Sequence, residues 1–377
     1  MKRGPLRVLI SGAGIAGSTL ADLLGRDGHD VLVVERDQGV RSSGNPVDVR
    51  GHAFRAIDAL GLLPDLRAAA TEVERLVIVD DGGRPIASMR TRRDPDAEFE
   101  VLRADLCGHL IRSAQRHAEF RFDDSVSEIA SSSDGAHVTF EHSPAARFDL
   151  IVGADGVHSR VRRLVLGPEA SFVHPLRMYV ATVRLPDLRL RPDQVLLASA
   201  PGAAVALHPG AGTPGAAFIF RSPIRIDARD PEAVRNLLSA VYGKAGWRVP
   251  ELLDAYFAAA DTYFDAVCRV RTPSWSRGPV VLLGDAASCI TLFGEGSSAA
   301  ITGAWRLAKA LRDFPDIAQA LRRYESAHRV EVLRGQRFAP VAARVLVPST
   351  SRGIKARNGL LRSAARLSGD RVCRAPC

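Results

Sequence analysis

Hydrophobic and polar residues alternate with two different periods along the chain. Short apolar runs at residues 6–10 and 30–35 predict strands, and residues 18–26 between them have the spacing of a helix. The chain therefore opens with a β-α-β unit. Between residues 171 and 220, alternating runs separated by Pro and Gly predict an antiparallel sheet with one exposed or ligand-facing side.

Helical periods return after this sheet, at residues 231–242 and 250–257. A buried strand, PVVLLGD, follows and leads into helices predicted at residues 296–312 and 317–338. Because α/β segments flank the antiparallel sheet on both sides, we expect a discontinuous α/β domain with a sheet inserted in it.

The composition is that of an ordinary globular protein. The 377 residues are 46% hydrophobic and 25% charged, and this length corresponds to roughly two domains. Five cysteines without a Cys-x-x-Cys pair argue against a zinc knuckle or a secreted disulfide framework, and the ten histidines form no metal-ligand pattern. We therefore expect a cytoplasmic protein without a bound metal. No stretch approaches the roughly twenty apolar residues of a membrane span.

The net charge of +9 is concentrated near the C-terminus. Residues 317–377 contain 13 Lys or Arg and three acidic residues, Glu325, Glu331 and Asp370. Such a segment can bind nucleic acid or an anionic membrane surface, or it can form a solvated helical face. Since it has few aromatic residues to stack on bases, we favour the solvated face, expect no nucleic-acid partner and keep membrane-surface contact as a weaker alternative.

The first chemical motif lies between the first strand and the first helix. It is GAGIAG, formed by Gly12, Ala13, Gly14, Ile15, Ala16 and Gly17. Gly12 permits a tight turn, Gly14 lets backbone N–H groups approach a pyrophosphate, and Gly17 lets the helix pack on the strand. Glu35 ends the next strand, where its carboxylate can bind both ribose hydroxyls and would repel a 2′-phosphate. The motif indicates a dinucleotide other than NADP, and leaves NAD and FAD open.

A second motif, GDAASCITLFGEGSS, follows the late strand. Its candidate cofactor contacts are Gly284, Asp285, Gly294, Glu295, Gly296 and Ser297. A carboxylate at the carboxyl edge of an α/β sheet can hold a polyol, and FAD has a ribityl chain whereas NAD has none. The N–H groups of the following helix can face an electron-poor flavin ring. The alternative is that Asp285 is only a helix cap.

The order of the motifs resembles that of one protein family. A third motif, GADGVHSRVR, contains Asp155 and Gly156, a pair that on its own is most often a turn. GAGIAG with VVER, then VLRADL, then GADGVHSRVR, then GDAA with GEGSS resemble the class A flavoprotein monooxygenases, the para-hydroxybenzoate hydroxylase type. NPVDVRGHAFRAIDALGLL and residues 245–287 are similar to the branch of tetracycline-inactivating monooxygenases and actinobacterial natural-product hydroxylases. The resemblance extends over residues 6–320.

The resemblance implies an α/β fold. It has a Rossmann-like FAD-binding domain of the GR2 type, an inserted, mostly antiparallel substrate-binding sheet and C-terminal helices. The FAD-binding domain would comprise residues 1–72, 99–170 and 269–316. Residues 73–98 and 171–268 would form the substrate-binding domain, and residues 317–377 the C-terminal helical segment.

The resemblance also implies roles for individual residues. The three glycines of the first motif would hold the pyrophosphate, Glu35 the ribose and Arg36 the adenine side. Arg103 would reach the ribityl or phosphate region, with Asp155 and Gly156 beside the pyrophosphate and the passing nicotinamide. Asp285 and the turn at residues 294–297 would hold the ribityl chain and ring, and Arg50 would lie near the isoalloxazine.

The implied reaction uses FAD, NADH or NADPH, and O2. The nicotinamide reduces FAD, oxygen adds as a C4a-hydroperoxide, and one oxygen atom hydroxylates or epoxidises a small aromatic or polyketide-like substrate in a dry pocket. The alternatives are an FAD-dependent reductase without oxygen insertion and a non-catalytic interaction protein of the same fold. An NAD dehydrogenase would explain the first motif but would leave Asp285 unused.

Five side chains near the inserted sheet are candidate substrate contacts, although each could instead fill the core or the surface. They are His208, Phe220, Arg221, Tyr263 and Phe264, and Arg221 would pair with an acidic substrate group. The late motif also departs from the family. Ser288 stands where many relatives have His, and the loop CITLFG lacks their proline and is one residue shorter. In the family this loop lies against the reacting face of the flavin, so the departure concerns the oxygen chemistry.

Overall fold

The structure is a computed structural model that describes residues 4–39, 45–91, 94, 96–132, 135–289 and 296–367. The first elements are β1 (Arg7–Ser11), α1 (Ile15–Arg26), β2 (Asp30–Glu35), β3 (Pro46–Arg50), α2 (His52–Ala59), α3 (Leu63–Ala68), β4 (Arg75–Val79), β5 (Pro85–Arg90), β6 (Glu98–Leu102) and α4 (Arg103–Ala114). The middle elements are β7 (Glu119–Phe122), β8 (Val126–Ser132), β9 (Gly135–Phe140), β10 (Ala146–Phe148), β11 (Leu150–Gly153), α5 (Arg160–Leu166), β12 (Val173–Arg184), β13 (Gln194–Ala200), β14 (Ala203–His208) and β15 (Gly215–Arg221). The last elements are α6 (Pro231–Tyr242), α7 (Val249–Ala258), β16 (Thr262–Val270), β17 (Ser276–Arg277), β18 (Val280–Leu282), α8 (Gly296–Asp313), α9 (Ile317–Leu346) and α10 (Ser351–Leu367).

The first sheet has the strand order β17-β18-β11-β1-β2-β7 and is parallel except for β17. Val8 in the central strand lies opposite Val31 on one side and Leu150 on the other. Val8, Leu9 and Ile10 are all fully buried. Both faces of β1 are therefore covered, which explains why its sequence is a continuous apolar run and does not alternate.

The second sheet has the strand order β16-β12-β15-β14-β13-β4-β5. Its pairs are antiparallel apart from β13 with β4. The antiparallel sheet expected from the alternating runs is confirmed. Phe218 and Phe220 are buried in a core with residues of α6 and α7, so alternate residues of β15 point to the opposite face, which borders a crevice.

The helices after residue 296 join the two sheets. α8 packs on α1, α2 and α9. α9 continues through Pro340 to Leu346, past the predicted end at residue 338, because Ala343 and the adjoining Val347 are buried against the second sheet. α10 packs on β5 and β13. Among the residues that the structure describes, no helix combines the length and the apolar character needed to cross a bilayer.

Candidate active site

The glycine turn after β1 leaves one open position at the start of α1. Gly12 has a φ of 108°, and a Cβ there would lie 2.5 Å from the carbonyl oxygen of Ala154. A Cβ on Gly17 would lie 1.9 Å from the carbonyl oxygen of Gly12. At Gly14, the N-cap of α1, no atom lies within 4 Å of the Cβ position. Two of the glycines therefore serve packing, whereas Gly14 faces space at a helix N-terminus that favours an anion.

Glu35 holds the glycine turn from the end of β2. Its Oε2 accepts a hydrogen bond from the backbone N–H of Ala13 at 2.8 Å, and its Oε1 accepts one from Asp37 at 3.1 Å. A carboxylate can accept further hydrogen bonds, so it retains capacity for ribose hydroxyls. Arg36 is exposed, and its guanidinium lies 3.8 Å from the carboxylate of Asp37. Glu35 and Arg36 both line a cavity of about 320 Å³.

The turn after β11 borders the same cavity. The carboxylate of Asp155 accepts hydrogen bonds from the hydroxyl of Ser159 and from the backbone N–H groups of Arg160 and Val161, at 2.7 and 3.0 Å for the last two. Burial raises the pKa of Asp155, and these hydrogen bonds oppose the rise. Asp155 therefore caps α5, while Gly156, with a φ of 81° and no neighbour at its Cβ position, presents open backbone to the cavity.

The late motif brings Asp285 to the start of α1. Gly284 has a φ of 61°, and a Cβ there would lie 2.9 Å from the Cβ of Ala16, so the strand end passes close to α1. Burial raises the pKa of Asp285, and the nearby guanidinium of Arg103 acts in the opposite direction. Arg103 begins α4. Gly294 and Glu295 lie outside the described residues.

The start of α8 is tied to β3. The hydroxyls of Ser297 and Ser298 both donate to the carbonyl oxygen of Asp48, at 2.7 and 2.9 Å. Gly296 and Ser297 line a second cavity, of about 390 Å³, together with Asp285. The first turn of α8 is thus fixed beside the carboxylate of the late motif.

These two cavities meet. Both are lined by Gly14, Arg103, Ala154 and Gly156. We call the joined space the crevice. It runs from Glu35, past the N-terminus of α1, to Asp285 and the second sheet, so it suits an elongated ligand whose middle is anionic.

The second sheet forms an aliphatic wall of the crevice. The lining side chains that alternate along its strands are Val180, Thr182, Val195, Ala206, Ala217, Ile219 and Tyr263. The hydroxyl of Tyr263 donates to Asp265 at 3.3 Å. Burial, followed by the charge of Asp265, raises the pKa of Tyr263, so the phenol is neutral at physiological pH. The wall is largely apolar.

A polar pair, Glu100 and His208, lies on the same wall. His208 Nδ1 accepts the backbone N–H of Gly210 at 2.9 Å, which places the ring proton on Nε2. Nε2–H therefore donates to Oε1 of Glu100 at 3.0 Å, and the hydroxyl of Thr71 donates to the same oxygen at 2.6 Å. Both side chains line the crevice and are mostly buried. The pair presents a fixed carboxylate to a ligand.

Comparison with known proteins shows which family the chain belongs to. The family described as FAD binding domain matches residues 5–329. The chain belongs to this family. An uncharacterised protein of Mycobacterium tuberculosis (strain H37Rv) is 38% identical over 325 residues, which are 81% of this chain and 84% of that protein. A flavin-dependent monooxygenase of Legionella longbeachae is 29% identical over 342 residues, 88% of this chain and 87% of the relative.

A solved structure has a fold similar to that of this protein. The crystal structure of the tetracycline destructase Tet(55) has 25% sequence identity and a TM-score of 0.84, with 100% of both chains covered. The protein is a class A FAD-dependent monooxygenase with the α/β fold of the para-hydroxybenzoate hydroxylase type. The expectations for its family, fold class, FAD binding and reaction class are therefore confirmed.

Three of the five predicted substrate contacts of this FAD-dependent monooxygenase lie away from the crevice, which corrects the expectation. Phe220 and Phe264 stack on Tyr179, on the face of the sheet that α6 and α7 cover. Their ring centroids lie 5.6 and 5.4 Å from the ring centroid of Tyr179. Arg221 donates to the carbonyl oxygens of Val347 and Ala343, each at 2.8 Å. Its guanidinium therefore fixes the end of α9, and Arg221 is not among the residues that line the crevice.

Arg50 lies beyond the start of α8. It lines a further cavity of about 530 Å³, which α9 also borders and which shares Asp285 and Gly296 with the crevice. The backbone N–H of Arg50 donates to the hydroxyl of Ser298 at 3.1 Å. The role of Arg50 beside the isoalloxazine stays a prediction.

Glu100 was not identified from the sequence. Its position in β6, three residues before Arg103, was a usable signal.

Proposed function

We propose that the crevice of this monooxygenase holds FAD in one orientation. Glu35 would bind the ribose of the adenosine half, Gly14 and Gly156 would face the pyrophosphate, and Asp285 with the start of α8 would lie beside the ribityl chain and ring. The supporting observation is the junction of the two cavities at Gly14, Arg103 and Gly156. A carboxylate lies at each end and a helix N-terminus and an arginine lie between them, which matches the charge pattern of FAD.

Each part of this site has a physical task. The N-terminus of α1 and the guanidinium of Arg103 stabilise the anionic pyrophosphate. The N-terminus of α8 stabilises negative charge near the ring. Bound FAD supplies the redox chemistry, with NADH or NADPH as electron donor and O2 as the source of oxygen. The polypeptide binds and orients FAD and the substrate, and it keeps water away from them.

We infer that the substrate is a planar aromatic or polyketide-like molecule with a hydroxyl group. The wall made by Val180, Ala206, Ala217 and Ile219 offers an apolar sheet surface to such a molecule. The Glu100 carboxylate can accept the hydrogen of a phenolic hydroxyl, which makes the ring more electron-rich. His208 holds that carboxylate in place. The reaction is hydroxylation of the bound ring.

The test is a screen of phenolic and polyketide-like compounds with the purified, FAD-loaded protein. A substrate should stimulate oxidation of NADPH or NADH, and mass spectrometry with ¹⁸O2 should show one labelled oxygen in the product. Stimulated oxidation that yields only hydrogen peroxide with every hydroxylated compound would contradict the proposal. Aromatic compounds without a hydroxyl serve as the matched controls and should not be labelled.

A further inference from the structure

One face of α9 is both apolar and basic. Seven exposed side chains form it, and we call them the α9 outer face: Val330, Arg334, Arg337, Phe338, Val341, Arg344 and Val345. The four hydrophobic members are 64%, 65%, 55% and 51% exposed in chain order. At 100° per residue, all seven fall within an arc of about 120° on the helix. The stripe is therefore continuous, with Phe338 at one edge, Val341 and Val345 between, and Arg337 and Arg344 at the other edge.

The charge around this face is predominantly positive. Residues 332–369 contain eight Lys or Arg and no Asp or Glu. The exposed face of α8, by contrast, pairs opposite charges, since Lys309 lies 2.7 Å from Asp313. A solvated face usually mixes both signs. The α9 outer face differs because cations predominate beside its large hydrophobic side chains, and the neighbouring Glu331 is paired with Arg306 at 2.6 Å.

The charge also decides which partner fits. A second copy of this chain would bring two arrays of cations together, and like charges across an interface oppose association. An anionic bilayer complements the arginines and accepts the valine and phenylalanine side chains at its headgroup boundary. The broad apolar stripe and the scarcity of aromatic side chains do not favour a nucleic acid, which is bound by stacking and by phosphate contacts.

We propose that the α9 outer face docks on the surface of an anionic lipid bilayer, with the helix parallel to the membrane plane. Arg334 and Phe338 belong both to this face and to the lining of the 530 Å³ cavity. Docking therefore sets the rim of that cavity against the lipid. The α9 outer face lies outside the crevice, and its docking does not depend on which substrate is oxidised.

The experiment is co-sedimentation of the full-length, FAD-loaded protein with phosphatidylcholine vesicles, with and without phosphatidylglycerol. Binding should be at least about tenfold stronger to the anionic vesicles and should fall at high salt, since screening weakens charge attraction. Arg337→Glu/Arg344→Glu and Val341→Ser/Val345→Ser should each lose the binding. Arg112→Glu/Arg116→Glu, at exposed positions in and after α4, makes the same charge change and should retain it.

Thermal unfolding and flavin absorbance show that each variant is folded and loaded. The proposal is overturned if wild-type protein binds neutral and anionic vesicles equally or binds neither. It is equally overturned if the α4 variant loses as much binding as the α9 variants. A dimer in sedimentation velocity that the valine changes dissociate, without any vesicle binding, would identify a second copy as the occupant and reject the bilayer.

Discussion

Arg162 donates a hydrogen bond to the carbonyl oxygen of Ala286, 3.1 Å from its Nη1, across a separation of 124 residues. The same guanidinium donates to the carbonyl oxygen of Val157. Its side chain is fully buried. Arg162 therefore fixes the turn of the third motif against the turn of the late motif, and both turns border the crevice.

Replacing Arg162 should destabilise the whole protein. Arg162→Met leaves two buried carbonyl oxygens without their donor, which should lower the free energy of unfolding by about 2–4 kcal/mol. Urea denaturation measures the change. Arg163→Met is the matched control, because the neighbouring side chain is 50% exposed and its loss should cost less than about 0.5 kcal/mol. Equal effects of the two changes would contradict this reading of Arg162.

Two glycines of the first motif should respond differently to the same change. Gly14→Ala adds a methyl group where no protein atom lies within 4 Å, so the apoprotein should keep its melting temperature. The methyl should enter the pyrophosphate space, and FAD should bind at least about tenfold more weakly in a fluorescence titration.

Gly17→Ala is the comparison. Its methyl group would lie 1.9 Å from the carbonyl oxygen of Gly12, so this variant should lose stability even without FAD. If Gly14→Ala binds FAD with wild-type affinity, the pyrophosphate lies elsewhere.

Replacing Glu100 should weaken substrate binding without changing the affinity for FAD. Glu100→Gln keeps the size of the side chain but removes a charged acceptor, whose hydrogen bond is worth about 1.5–3 kcal/mol. The KM for a hydroxylated substrate should rise about tenfold or more, while FAD affinity stays unchanged. Glu98→Gln on the same strand is the control, since Glu98 is not among the residues that line the crevice. An unchanged KM in Glu100→Gln would remove this residue from the substrate site.

Arg221→Met should loosen the end of α9. Two hydrogen bonds of 2.8 Å to the carbonyl oxygens of Val347 and Ala343 are lost, so amide hydrogen exchange should accelerate around residues 343–347. Substrate KM should not change, because the guanidinium does not reach the crevice wall. Arg225→Met, at an exposed position nearby, should alter neither property. A raised substrate KM in Arg221→Met, but not in Arg225→Met, would instead indicate that Arg221 pairs with an acidic group of the substrate.

The pH dependence of stability should show the contribution of His158. Its Nδ1 lies 3.0 Å from Glu169 Oε1 and its Nε2 lies 3.9 Å from Asp265 Oδ1. The cations facing this cluster are Arg162 and Arg163, each within 4.0 Å of Glu169. Interaction with Asp265 and then with Glu169 raises the pKa of His158 from 6.5 to about 9, although partial burial acts in the opposite direction.

Because the pKa of His158 is higher in the folded state, its stabilising effect is complete below about pH 6.5 and is lost as the pH rises through about 9. Urea denaturation at pH 6.5 and pH 9.5 should show a larger decrease in unfolding free energy for the wild type than for His158→Gln. Identical decreases would mean that the two carboxylates do not act on His158.

Local signals made part of this structure predictable. The apolar runs, the glycine spacing of GAGIAG and the strand that delivers Asp285 are each encoded within about twenty residues, and the fold class followed from them. The face of Phe220 and Phe264 was not predictable in this way, because a shift of one residue in a strand reverses its side chains. The pairs Glu100 with His208 and Arg221 with Val347 join residues 108 and 126 apart, and no local pattern marks them.

In the first sheet, β18 from residues 280–282 pairs with β11, which in turn pairs with β1. On the ribosome, about three quarters of the polypeptide must therefore be synthesised before the sheet of the amino-terminal β-α-β unit can be completed. A nascent chain that ends before this strand lacks Asp285 and the start of α8, which border the crevice. Under the proposed placement of FAD, capture of the yellow cofactor in the cell is therefore a late event in biosynthesis.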